Sequence, residues 1–289
     1  MKILVAYDGS DGSDAALKDL ARAGLPDDTE VLVMSLADVF LPPDDPFEEV
    51  STPYVPETVK LAHERAQQKL GEAQDMARRA SEQIKSMFPT WNVHHEALAD
   101  SPAWGLLRTA DQWTPDLVVM GARGQSARQA RLILGSISQR VLYEARGSVR
   151  ISRPPRKNAD EPVFLLIGND DSADSTAAVE AVCRRRWPKG SEVALLTVRD
   201  SVLETTPNPS EPSQASAEKL RDAGLHVNVL VKQGNAADEI LEEADAWGAD
   251  CIFVGAKGTR GIGRLLLGSV SSSVAARAHC SVEVVRPKS

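Results

Sequence analysis

The chain has 289 residues, 42% of them hydrophobic and 4% aromatic, with 33 Lys and Arg against 41 Asp and Glu for a formal net charge of −8. That length suits one large domain or two ordinary ones, and the acidic balance with few aromatics argues against a nucleic-acid partner, which needs positive charge and stacking platforms. No apolar run nears the ~20 residues that cross a bilayer. Met1–Asp8 reaches a carboxylate too early for a signal peptide, and Cys183, Cys251 and Cys280 lack disulfide or zinc spacing. A cytoplasmic protein with buried, reduced thiols and no membrane partner is expected.

In chain order, Lys2–Ala6 is a short apolar strand, Asp14–Ala23 has helical periodicity, and Glu30–Leu36 is the next strand. A proline-rich stretch at 38–60 reads as an irregular loop. A long polar helix over Val59–Met87 leads to the strand Val93–Ala97, the helix Ala103–Gln112, the strand Leu117–Met120, the helix Ser138–Ala145 and the strand Ser148–Ser152. The same alternation returns as Val163–Ile167, Ser175–Arg185, Val193–Val198, an irregular Pro/Ser/Thr-rich stretch at Ser201–Ser216 overlapping the start of a helix at Ala215–Ala223, then His226–Val231, Ala236–Ala246, Cys251–Val254, Ser271–Ala278 and Val282–Val285. Strands alternating with helices imply right-handed βαβ units and a mainly parallel sheet.

The alternation returns because the chain is a duplication. Val93–Gly124 aligns with Val227–Gly258 at an offset of 134 with 10 of 32 positions identical, and Gly135–Arg153 aligns with Gly268–Arg286 at 133 with 8 of 19 identical. At the front, Val5–Ser10 lies over Ile167–Ser172 at 162. Such collinear blocks mark two homologous domains. The predicted division is 1–153, a Pro-rich charged linker at 154–162, and 163–289.

The chemistry concentrates at the strand–loop–helix junction of each half. Gly255-Ala256-Lys257-Gly258 follows a strand and Gly268-Ser269 opens a helix, an arrangement that aims backbone N–H groups and a positive helix end at one point where a phosphate can sit. Ser269 and Ser271 add hydroxyls, and Ser269 is a candidate helix cap. The Walker A lysine is missing, since Arg264-Leu265 follows Gly263, and the first strand–helix turn carries Asp8-Gly9-Ser10 or Asp170-Asp171-Ser172 in place of GxGxxG. Asp8 and Asp170 end the first strands; each reads either as a ligand to a base or ribose or as a cap on the first helix. Trp113 and Trp247, repeated before the fourth strand, read as packing. His94 and His95 are strand neighbours pointing to opposite faces, so they cannot chelate together.

These residues carry a resemblance. Val-x-x-Asp-Gly-Ser, then Gly-x-x-Gly-x9-Gly-Ser in Gly255–Ser269, then the tail Val274–Arg286 with Ser281 where proline is usual, resemble the universal stress protein family in its tandem form across essentially both halves. The resemblance implies an α/β fold of two Rossmann-like, adenine nucleotide alpha hydrolase-like domains, each a five-stranded parallel sheet of order 3-2-1-4-5. In one subgroup such domains bind ATP, here with Mg2+ as a candidate companion of the phosphates. By matching positions, Asp8 and Asp170 contact adenine, and Leu36 and Val198 line the base pocket. Gly121, Gly124, Gly135, Ser136 and Ser138 hold ribose and phosphates in the first half; Gly255, Gly258, Gly268, Ser269 and Ser271 do so in the second. The first half departs by one residue, its spacer Gln125–Leu134 having ten residues where the motif has nine; Arg128 and Arg131 within it, with Arg123, are candidates to meet phosphates. The second departs by Asp171, a second carboxylate near the anion site. The second half is expected to bind more tightly. The resemblance also implies pairing of the fifth strands, inside one chain here, and leaves a homodimer open. No catalytic residue is expected, at most slow ATP hydrolysis. The competing readings are an ATP-using enzyme and an interaction scaffold without nucleotide.

Overall fold

The computed structural model describes residues 1–39, 57–124, 134–199, 210–258 and 267–287. The first half runs β1 (Lys2–Ala6), α1 (Asp11–Leu20), β2 (Glu30–Ala37), α2 (Glu57–Met87), β3 (Asn92–Ala99), α3 (Pro102–Trp113), β4 (Leu117–Gly121), α4 (Ser136–Glu144) and β5 (Ser148–Ser152). The second repeats it as β6 (Phe164–Gly168), α5 (Ala173–Cys183), β7 (Glu192–Arg199), α6 (Glu211–Asp222), β8 (His226–Gln233), α7 (Ala236–Trp247), β9 (Cys251–Gly255), α8 (Ser269–Arg277) and β10 (Ser281–Val285). Each half has the order 3-2-1-4-5, and together they form one ten-stranded sheet, β3-β2-β1-β4-β5-β10-β9-β6-β7-β8. Pairing is parallel within each half and antiparallel where β5 meets β10.

Helix starts fall earlier than the periodicity suggested, and the reason is capping. Ser10 and Ser172 have extended backbone and accept from the amides of Ser13 and Ser175, so α1 and α5 begin at Asp11 and Ala173. Hydroxyl caps of this kind contribute about 1 kcal/mol each; Ser172→Ala should lower unfolding free energy by about that amount in urea titrations while leaving the m-value unchanged. The expectation of irregular chain through Ser216 is also corrected. Ser210 caps α6 and Pro212 sits in its first turn, where a missing N–H removes no helical bond. The stretch at 40–56 lies outside the described residues.

Alternation along β5 and β10 gives the seam two different faces. Val149, Ile151, Val282 and Val284 join one core cluster that runs through both halves, whereas the opposite face carries a separate core for each half. Between those two cores lies a buried ionic group. Arg150 donates to both oxygens of Asp19 at 2.7 and 3.0 Å and to Glu283 at 3.2 Å, with its side chain only 1% exposed. Ser152 donates to Asp19, and Arg185 pairs with the second oxygen of Glu283. Burial opposes charging Arg150, but the carboxylates outweigh it and hold the guanidinium well above its ordinary pKa. Arg150 and Glu283 are duplicated positions, 133 apart, and face each other directly in the β5–β10 register.

The arginines ending the two repeats work reciprocally. Arg153 reaches over the seam to the carbonyls of Ala275 and Cys280 past the end of α8, and Arg286 reaches back to Leu142 and Gly147 at the end of α4. A cation there complements both the free carbonyls and the negative helix end.

Candidate functional site

The parallel strands of each half deliver their C-terminal ends to one edge, where open α/β sheets place ligands. At that edge β1 hands over to Asp8 and β6 to Asp170. Neither is the helix cap. Asp8 instead accepts from the amide and hydroxyl of the capping Ser10 at 3.1 and 2.6 Å, and Asp170 accepts from the Ser172 amide at 3.1 Å. One carboxylate oxygen of each is thereby fixed. The other lies against the glycine loop: a Cβ built on Gly124 would stand 2.5 Å from Asp8 Oδ2, and one on Gly258 would stand 2.5 Å from Asp170 Oδ2. These glycines are required by close approach.

The remaining site residues gather around that contact. Gly121 ends β4 and Gly255 ends β9, each packed on the first turn of α1 or α5, where a Cβ would meet Gly12 at 2.4 Å or Asp174 at 2.7 Å. The amide of Gly135 donates to Ala122 and that of Gly268 to Ala256, closing each loop onto its helix. Gly135 and Gly268 are the caps of α4 and α8 and, as glycines, bring no side chain to cap the first-turn amides. Ser136 and Ser269 are therefore the first helical residues, which corrects the expectation that Ser269 caps α8. Ser138 and Ser271 are buried and donate their hydroxyls to the carbonyls of Gly121 and Gly255, bracing the loop. Leu36 on β2 and Val198 on β7 are partly buried near the strand ends. All fourteen expected positions stand at the two edges; Arg128 and Arg131 lie outside the described residues.

Three features were not foreseen. Asp171 occupies the left-handed backbone position that Gly9 fills in the first half, with φ of 59° and 72° respectively. Its carboxylate accepts from the hydroxyls of Ser210 and Ser213 and from the side-chain Nδ2 of Asn169, so it anchors the α6 cap. Asp174, where the first half has Gly12, accepts the backbone N–H of Lys257 at 2.9 Å and holds the second glycine loop. Tyr7 donates to Asp14 at 2.7 Å, and burial followed by that bond pushes its phenol up to about 12.

The other chemically suggestive residues do not converge here. Trp247 stacks on Phe164 and Trp113 lies under Lys2, both packed on the core. His63 contacts Gln67, and His279 stands 3.9 Å from Asp245 on the surface. Cys251 is fully buried, whereas Cys183 and Cys280 are partly exposed, a correction to three buried thiols. Burial pushes the Cys280 thiol up to about 12, which makes it a poor nucleophile.

A family model described as Universal stress protein family matches residues 1–153 and 165–286. The chain belongs to the universal stress protein family. A universal stress protein of Mycolicibacterium smegmatis is 29% identical over 300 aligned residues, covering 99% of this chain and 97% of that one. A universal stress protein of Methanocaldococcus jannaschii is 30% identical over 162 residues, 54% of this chain and 84% of its own. Among solved structures, a universal stress protein from Archaeoglobus fulgidus superposes with a TM-score of 0.69 at 19% identity, covering 99% and 98% of the two chains. Both the family and the tandem Rossmann-like fold are thus established. No helix among the described residues is long and apolar enough to cross a membrane.

Proposed function

We propose that the C-terminal edge of each half binds an adenine nucleotide, ATP by the glycine motif, and that the chain is a cytoplasmic stress-response regulator rather than a dedicated enzyme. The observation that carries this reading is the convergence, twice, of a carboxylate, a glycine turn and a helix start capped by a glycine that has no side chain to cover the first-turn amides. Such amides suit phosphate oxygens, and a fixed carboxylate suits an amino group on a base. In the second half Gly255, Gly258, Gly268 and Ser269 would hold ribose and phosphates, Ser271 would brace the loop, Asp170 would take the adenine amino group, and Val198 would cover the ring. Asp8, Leu36, Gly121, Gly124, Gly135, Ser136 and Ser138 are the counterparts in the first half. The second half is proposed as the tighter site, because its glycine spacing is complete and Asp174 fixes its loop. No cluster of three His, Cys, Asp or Glu among the described residues could hold a metal alone, so Mg2+ would arrive with the phosphates. Residues 154–162 are proposed as the linker between the two nucleotide domains.

The test is to denature the purified protein, identify any released nucleotide, and titrate the emptied protein with ATP. About one ATP or more per chain supports the reading. No released nucleotide and no heat on titration would leave the interaction scaffold. Sustained turnover with an added acceptor would favour an enzyme.

A further inference from the structure

A second polar centre lies away from both glycine loops, under the chain that leaves β5. A cavity of about 10 Å3 is lined there by Asp19, Arg22, Arg150, Arg153, Arg156 and Asp250, together with Pro154 and Pro155. Its lining is positive within an acidic protein. Around it, the guanidiniums of Arg22, Arg150 and Arg185 pair with three carboxylates, Asp250, Asp19 and Glu283, and Arg153 adds a fourth cation to the lining. One positive charge is in excess even before Arg156 and Lys157 are counted, and Lys157 also draws on Asp250 at 3.3 Å.

The excess falls on identifiable atoms. Among the described residues Arg153 bonds Ala275 and Cys280 carbonyls and the guanidinium has no carboxylate partner. Burial, and then the nearby Arg123, disfavour its charge. Arg22 is 3% exposed; its terminal nitrogens meet Asp250 and the linker carbonyls of Glu161 and Pro162, but its buried Nε has no hydrogen-bond partner. A buried cation with unmet donors is costly unless an anion or water completes it. The space admits one water-sized group, which excludes phosphate and sulfate.

We propose that this seam cavity binds a small monovalent anion, with chloride as the ligand, meeting the unpartnered Arg22 Nε and balancing the charge of Arg153. Occupied, it would tie the linker to the ends of β5 and α8 and strengthen the union of the halves.

The test uses the intact protein in sodium chloride and in sodium gluconate at equal ionic strength, gluconate being too large to enter. Melting temperature should rise saturably with chloride, by roughly 3 °C or more once chloride is far above its Kd. Arg153→Met should abolish the dependence. Arg286→Met, which removes the equivalent helix-end contact without touching the cavity, should keep it. Crystals grown in bromide should show an anomalous peak beside Arg22 and Arg153, a readout that does not require any variant to fold. Equal melting temperatures in the two salts, or a chloride effect retained in Arg153→Met, would overturn the proposal. So would a bromide-free cavity holding only water.

Discussion

Gly258→Val should strip the second half of nucleotide, lowering ATP affinity there by about 100-fold or more, equivalent to about 2.7 kcal/mol. Its Cβ would lie 2.5 Å from Asp170 Oδ2, so the loop or the carboxylate has to move, and both belong to the proposed site. The partner is held from behind by the Ser172 amide, which limits its retreat. Gly124→Val is the matched change against Asp8 in the first half. Isothermal titration of both variants assigns the sites: the tight phase should vanish in Gly258→Val and survive in Gly124→Val. Loss of the tight phase only in Gly124→Val would reverse the ordering of the halves, and unchanged titrations in both would refute binding at these loops.

The largest stability effect should come from Arg150→Met. Removing that guanidinium takes from Asp19 both of its bonds to Arg150, leaving the Ser152 hydroxyl bond, and takes one of two cations from Glu283, all within a few per cent of full burial. Breaking a buried pair from one side costs about 3–5 kcal/mol, because an uncompensated charge remains. Melting temperature should fall by roughly 6–15 °C. Adding Asp19→Leu should recover part of the loss, since the stranded carboxylate, not the missing bond, dominates the cost. A shift below roughly 2 °C for the single variant would show that the cluster is solvated and weakly coupled.

Much of this fold was legible in the residues. Lys2–Ala6 and Ser148–Ser152 are bounded by turn residues and fall where the apolar runs put them. The repeat located both glycine loops because Gly121, Gly124, Gly255 and Gly258 are fixed by contacts that any side chain would break. Helix starts were harder: one hydroxyl at Ser10 or Ser172 decides them, and the surrounding Asp and Gly read equally well as turn. Asp171 read as a charge at the anion site because sequence order cannot tell that its backbone is left-handed and its side chain turns to Ser210. Arg150 was hidden for a different reason. In Ser-Val-Arg-Ile-Ser, alternation assigns the arginine to solvent, whereas Asp19 of α1 and the other half's Glu283, 133 positions away, make that face interior. Asp174 gave no signal, because its partner is a backbone amide, which every residue but proline offers.

The direct opposition of Arg150 and Glu283 bears on which chains this one can join. Their positions are equivalent in the two repeats, so an approximate two-fold axis passes between them. Had two identical halves met there, a residue on that axis would confront its own copy, and no ion pair could form. Joining the halves in one polypeptide released the two copies to become opposite in sign. Each edge is now complementary to the other and not to itself: β5 against a second β5 would bury two arginines together, and β10 against a second β10 two glutamates. The charge pair at the seam thus selects β5 against β10 over either strand against its own copy, which fixes the pairing of unlike edges from a single opposed position.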